Sequence, residues 1–298
     1  MDTISASSLY NMIISRRSDF IIIDSRKDIE SYERNKIQSS VYFADDALKS
    51  YCARNKGKNK TIILYGEEDV HTFDTTSLNI PPNFIVKKLN STFSDLESTN
   101  IGKLICTASS EQHFVRTSSN TIYPSEIIPD FLYLGSSDHS RNTEVLQQLG
   151  ITHVLNLTCN DVQDSYTDSF VRKHIQITDL PSTEIIHHFS QAIDFIESCK
   201  SSGGKILIHC MMGISRSASF TIAYLMKSHG TMNLKQAYDY VKERRTMINP
   251  NPGFERQLRT YELQLYPHLA QSSLQEATRT KLSFFEKNGP PFQNKEKN

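Results

Sequence analysis

The sequence has no excess of either charge: 33 Lys and Arg stand against 33 Asp and Glu in 298 residues. That balance argues against a nucleic-acid or membrane partner held by bulk electrostatics, so any basic recognition must be local. No apolar run is long enough to cross a bilayer. The start, MDTISASSLYNMIISRR, lacks the basic opening and continuous apolar core of a secretory signal. These absences predict an intracellular chain, cytoplasmic, nuclear or both, without membrane insertion. Nor is there a paired CxxC spacing among the five cysteines, Cys52, Cys106, Cys159, Cys199 and Cys210. An odd number without pairing fits free thiols in a reducing compartment, and no structural zinc site is expected. There is no internal repeat.

A chain of 298 residues exceeds what one compact core needs, and its pattern divides in two. Residues 7–106 alternate apolar strands (FIIID at 20–24, SVYF at 40–43, TIILY at 61–65, NFIVKKL at 83–89) with helical stretches at 27–35 and 92–98. Continuous apolar runs of this kind suit a parallel sheet buried on both faces. Residues 107–121, rich in Ser and Thr and without hydrophobic period, read as a linker. Residues 122–266 alternate again, with strands at 131–135, 151–157, 170–177 and 205–210, helices at 142–150 and 183–200, and three later helical stretches. Both blocks are expected to be α/β. Residues 267–298, ending NGPPFQNKEKN, read as a polar, disordered tail.

The stretch KILIHCMMGISRSASFTIAYLM (205–226) carries the chemistry. A buried strand ends at Cys210, five residues intervene, and an amphipathic helix begins at Arg216. Strand, loop and helix start together form a cup of backbone amides, from Met211 through Met212, Gly213, Ile214 and Ser215 to Arg216, aimed at one point. Gly213 permits the sharp turn, and the planar fork of Arg216 matches two oxygens of a tetrahedral phosphate. Cys210 at the centre of that positive field favours the thiolate and becomes a nucleophile. His209 can fix the loop by hydrogen bonding, and the Ser217 hydroxyl can stabilise the thiolate when it later departs. Taken singly these residues have plainer readings: a small core filler, a solvated cation, a turn glycine.

Together they spell HCxxGxxRS, and the block 122–266 resembles the cysteine-dependent dual-specificity protein phosphatases throughout its length, YPSEIIPDFLYLGS and AYDYVKERRTMINPNPGFERQL included. The resemblance implies a central mixed sheet flanked by helices, a cysteinyl-phosphate intermediate and no metal or organic cofactor. It places a general acid on an upstream loop, where HIQITDLPSTEI offers Asp179, 31 residues before Cys210. One group can then serve as acid in the first step and base in the second. Asp179 has a plainer reading as a helix cap or turn former, which can coexist with catalysis. Asn251 stands where the family places an asparagine that supports the phosphate loop, and it could also be a turn residue between two prolines. Some relatives place a resolving cysteine near the position of Cys159, which implies a reversible Cys159–Cys210 disulfide. No segment resembles the aromatic clamp of tyrosine-only phosphatases, so the cup should be shallow enough for phosphoserine, phosphothreonine and phosphotyrosine.

The first block resembles the rhodanese-like domain that MAP kinase phosphatases carry ahead of the catalytic domain, on FIIIDSRKDIESYERNKI. TIILYGEEDVHTF has no cysteine where a working rhodanese needs one, which implies binding in place of sulfur transfer. The implied partner is a phosphorylated MAP kinase, docked by Arg54, Lys56, Lys58 and Lys60. These alternate in ARNKGKNK and would share one side of an extended segment; a solvated loop is the plainer alternative. Two other functions stay open: a phosphoprotein-binding pseudophosphatase, against which the retained Cys210, Arg216 and Asp179 speak, and a phosphatase of inositol lipids or RNA ends, against which the neutral, apolar loop residues Met211, Met212 and Ile214 speak.

Overall fold

The computed structural model describes residues 2–15, 20–26, 31–32, 35–37, 40–42, 47–55, 57–66, 80, 84–99, 106–108, 123–159, 169–228 and 232–267. In the first unit, β1 (Asp2–Ile4), α1 (Ala6–Ile14), β2 (Phe20–Asp24), β3 (Asn35–Ile37), β4 (Ser40–Tyr42), α2 (Ala47–Arg54), β5 (Lys60–Tyr65), β6 (Phe84–Leu89), α3 (Phe93–Ser98) and β7 (Cys106–Ala108) follow one another. Five of the strands form an all-parallel sheet in the order β1-β6-β5-β2-β4. Its central strands are the Ile-rich runs, as burial on both faces demands: Ile22, Ile23, Ile62, Ile63 and Leu64 are fully enclosed. A buried network joins two of these strands to α3. Arg26 clasps Asp24 with Nη2 at 2.6 Å, Tyr65 donates its hydroxyl to the same carboxylate at 2.6 Å, and the Arg26 guanidinium lies 4.3 Å from the Phe93 ring centroid.

Several expectations for this unit need correction. The sheet takes in residues 2–4, ahead of the expected start at residue 7, and Asn35, placed at the end of a helix, begins β3. The stretch after 106, read as linker, opens with β7, which pairs antiparallel to β3; residues 109–122 lie outside the described residues, as do 268–298 and most of TIILYGEEDVHTF. The basic stretch is not an extended strip. Arg54 closes α2, Gly57 sits in a turn with φ +84°, and Lys60 opens β5, while Lys56 lies outside the described residues. The run ALKSYCAR carries the helix as far as Arg54, and the glycine then reverses the chain.

The second unit comprises β8 (Ser125–Ile128), β9 (Leu132–Ser136), α4 (Ser137–Arg141), α5 (Thr143–Gln148), β10 (His153–Asn156), β11 (Val171–His174), α6 (Phe189–Ser201), β12 (Ile206–Cys210), α7 (Arg216–Ser228), α8 (Leu234–Arg244) and α9 (Pro252–Leu265). Its sheet runs β11-β10-β12-β9-β8, parallel except where β8 meets β9, so it is mixed. Strand β12 lies at its centre with all five residues buried. Helix α7 is enclosed from Arg216 to Met226, which holds its N-terminus rigidly against the C-terminal end of β12, where open α/β sheets bind ligands. The two units share one apolar cluster: Leu9 and Tyr10 of α1 pack with Tyr133, Val145, Leu146 and Leu207. Polar contacts reinforce it. Asn11 exchanges two hydrogen bonds with the Glu126 backbone at 2.7 and 2.9 Å, Tyr10 donates to the Pro124 carbonyl, and Ser7 donates to the buried Glu126 carboxylate.

Candidate active site

Residues Met211–Ser215 connect the last residue of β12 to the first turn of α7. Their carbonyls are tied to the surroundings. Ser137 donates its amide to the Met211 carbonyl at 3.2 Å; Arg245 donates to the Gly213 carbonyl at 2.8 Å and to the Met212 carbonyl at 3.3 Å; Asn249 donates its amide to the Ile214 carbonyl at 2.9 Å. On the enclosed side the Gly213 amide donates to Cys210 Sγ at 3.2 Å. Gly213 has φ +68°, and a Cβ there would come within 2.5 Å of the Gly135 carbonyl oxygen on β9. No side chain fits that position.

The cup tunes its cysteine. Burial alone pushes the Cys210 thiol up, but the Ser217 hydroxyl at 3.2 Å, the Ser217 amide, the Arg216 charge and the Ile214 amide outweigh it and hold the thiol below its ordinary value. The guanidinium of Arg216 is fixed through Nη1 to the carbonyls of Ile177 at 3.1 Å and Leu157 at 3.4 Å. Its Nε faces Asp179 Oδ2 at 3.4 Å without the alignment of a hydrogen bond. Nε, buried without an aligned hydrogen bond, is the edge that an oxygen of an anion could meet.

Asp179 is brought to the same cup: Ser215 donates its hydroxyl to Oδ1 at 2.7 Å and Asn251 its amide nitrogen at 2.9 Å. Asn251 is the N-cap of α9, a role not expected of it. Its side-chain oxygen caps α9, accepting from the amides of Gly253 and Phe254 at 3.0 Å, while its own amide donates to Ser215 Oγ at 3.2 Å. Met211, Met212 and the loop residue Leu180 expose 42, 58 and 53 % of their surface, an apolar margin beside a polar cup. His209, expected to fix the loop by hydrogen bonding, makes no well-aligned side-chain hydrogen bond among the described residues. Its ring is buried against the Cys210 backbone, and burial brings its pKa down to about 4. Cys159 is a free, half-buried thiol beyond a turn: β10 stops at Asn156, whose side chain accepts from the Thr158 amide, so Cys159 does not end the strand as expected. Arg54, Lys58 and Lys60 belong to the first unit and take no part in this cup. Among the described residues no group of three or more His, Cys, Asp or Glu could hold a metal ion.

Residues 132–264 match the family model "Dual specificity phosphatase, catalytic domain". Over these residues the chain is similar to the catalytic domain of the dual specificity phosphatases. A "Probable rhodanese domain-containing dual specificity protein phosphatase" of Dictyostelium discoideum is 43% identical over 144 residues, 48% of this chain and 30% of that protein. The human "Dual specificity protein phosphatase 5" is 44% identical over 144 residues, 48% of this chain and 37% of the relative. A solved human "tyrosine phosphatase-like serine/threonine/tyrosine-interacting protein" is 40% identical, covering 46% of this chain and 93% of that one, with a TM-score of 0.44. The chain therefore spans less than half the length of these two curated relatives. Within the matched residues, sequence reasoning missed Arg245, which holds the carbonyls of Gly213 and Met212. In KERR it reads as one more cation at a helix end, and nothing local distinguishes it from Arg244.

Proposed function

We propose that the chain is a dual-specificity protein phosphatase acting on phosphotyrosine and on phosphoserine or phosphothreonine, with a MAP kinase as its substrate. The observation that carries this reading is the meeting of three groups: a Cys210 thiol held low, the Arg216 fork beside it, and a carboxyl group, Asp179, on the facing loop. The Cys210 thiolate attacks phosphorus, forming the S–P bond as the P–O bond to the substrate breaks, and Asp179 gives its proton to the departing oxygen. Water then attacks the cysteinyl-phosphate, Asp179 takes up its proton, and the S–P bond breaks with the leaving thiolate accepting from Ser217. Loop amides and Arg216 stabilise the charge on the equatorial oxygens throughout.

The neutral, apolar Met211, Met212 and Ile214 favour a protein substrate over an inositol lipid. The decisive experiment is phosphate release from a doubly phosphorylated Thr-x-Tyr peptide set against an inositol-lipid phosphate. Release from the peptide, abolished by Cys210→Ser, supports the reading; release from the lipid alone overturns it. Asp179→Asn is expected to slow the peptide reaction by about 10²–10⁴ while sparing an aryl phosphate whose leaving group needs no proton.

We propose further that the first unit is rhodanese-like, a reading supported by its parallel sheet and by the name of the Dictyostelium relative. It docks the kinase through the helix–turn–strand corner that carries Arg54 and Lys58. Reversing both to Glu should weaken dephosphorylation of intact kinase, most at low salt, and leave a small aryl phosphate unaffected. Equal rates on intact kinase would rule the corner out.

A further inference from the structure

The loop that carries Asp179 rests on the first two turns of α9, and the contact is made by a missing side chain. Gly253 is buried in that helix, and a Cβ built on it would lie 1.9 Å from the carbonyl oxygen of Pro181, 2.5 Å from its carbon and 2.6 Å from its Cα. All three neighbours belong to the Asp179 loop, and the carbonyl oxygen and carbon are main-chain atoms that no change of rotamer can move away. Gly253 is not among the residues of positive φ. Backbone conformation therefore does not call for glycine here, and helix propensity disfavours it. Close approach is the remaining reason.

One turn further along the same face, Gln257 completes the seat. Its Oε1 accepts from the amides of Ile185 at 2.6 Å and Ile186 at 3.0 Å, and its Nε2 donates to the Thr183 carbonyl at 2.8 Å. The loop is thus held at Asp179 by Asn251, at Pro181 by contact with Gly253, and at residues 183–186 by Gln257, all from the beginning of one helix. We propose that Gly253 and Gln257 are positioning residues that seat the Asp179 loop against the phosphate loop before substrate arrives, so that the acid needs no closure step to reach the leaving oxygen. This role rests on Asp179 being the acid of the proposed phosphatase reaction.

The test compares wild type, Gly253→Ala and Gln257→Ala in two measurements. In kinetics, both variants are expected to lose about 10–100-fold in kcat/KM on a phosphothreonine peptide, whose alkoxide must be protonated, and less than about threefold on an aryl phosphate with an acidic phenol. The alkaline fall of kcat/KM on the peptide should flatten with them. In hydrogen exchange, the Ile185 and Ile186 amides should exchange about tenfold faster or more while the amides of α9 keep their protection. Equal losses on both substrates, no loss on either, or unchanged exchange at Ile185 and Ile186 overturns the proposal. Should Gly253→Ala fail to fold, Gln257→Ala carries the same readouts without inserting an atom. Should wild type release no phosphate from either substrate, the proposed function falls, and exchange at Ile185 and Ile186 alone decides the seating.

Discussion

Replacing Ser217 by alanine isolates one contribution to the reactivity of Cys210. The hydroxyl is buried, lies 3.2 Å from Sγ and donates to it. A hydrogen bond to a charged group stabilises it by about 1.5–3 kcal/mol. One pKa unit corresponds to about 1.4 kcal/mol. Losing the bond should therefore raise the thiol pKa by about 1–2. The Gly213 amide and Arg216 remain, so the rise is a fraction of what the whole cup supplies. The sign is fixed by the bond's preference for thiolate: below the new midpoint the variant holds fewer thiolates and alkylates more slowly. The assay is the rate of iodoacetamide modification of Cys210 against pH, read as the midpoint of the rise. It needs no turnover and no knowledge of the substrate. A midpoint that stays in place or moves down refutes the hydrogen bond as a source of thiolate stability. In turnover, the same variant should show a burst, because the thiolate now departs from phosphorus without a donor.

Arg245→Met keeps the bulk of a buried side chain but leaves the carbonyls of Gly213 and Met212 without their donors. Denaturant unfolding should register a loss of about 2–5 kcal/mol, and inhibition by vanadate should weaken; undiminished vanadate binding would mean the loop holds its shape alone. The buried rings of His139 and His209 have pKa values of about 3 and about 4, brought down chiefly by burial. Each takes up a proton on unfolding below pH ~6.5, so stability falls as pH drops, by about 2 kcal/mol per histidine between pH 7 and 5. Unfolding curves at the two pH values check this, and His139→Gln should flatten the slope. Under peroxide, mass spectrometry is expected to find Cys159 joined to Cys210; sulfinic acid at Cys210 with Cys159 always reduced would rule out that pairing.

The run from His209 to Arg216 was legible because its members are neighbours in the chain. A strand that ends in His209-Cys210, a glycine three residues on and a helix that begins at Arg216 prescribe local geometry, and local geometry is what short-range sequence encodes. Apolar runs of strand length likewise marked the strands 20–24, 60–65 and 206–210, because burial on both faces leaves a continuous signature. The basic stretch 54–60 was misread for the converse reason: alternation suggested an extended strip, while the helix started seven residues earlier and the turn at Gly57 settled the matter.

What the sequence by itself determined is local: the strand–loop–helix run from Cys210 to Arg216 and two stretches of α/β alternation. Only the tertiary structure decided how these are held. Arg245 looks like its neighbour Arg244 until packing turns it into the phosphate loop, and Gly253 looks like a weak helix residue until the Pro181 backbone is found against it. Both act on partners 32 and 72 positions away, and such contacts leave no trace in the local pattern. They depend on which elements the folded chain brings within a few ångströms of each other, a choice made by burial of the whole apolar core and not by any one segment.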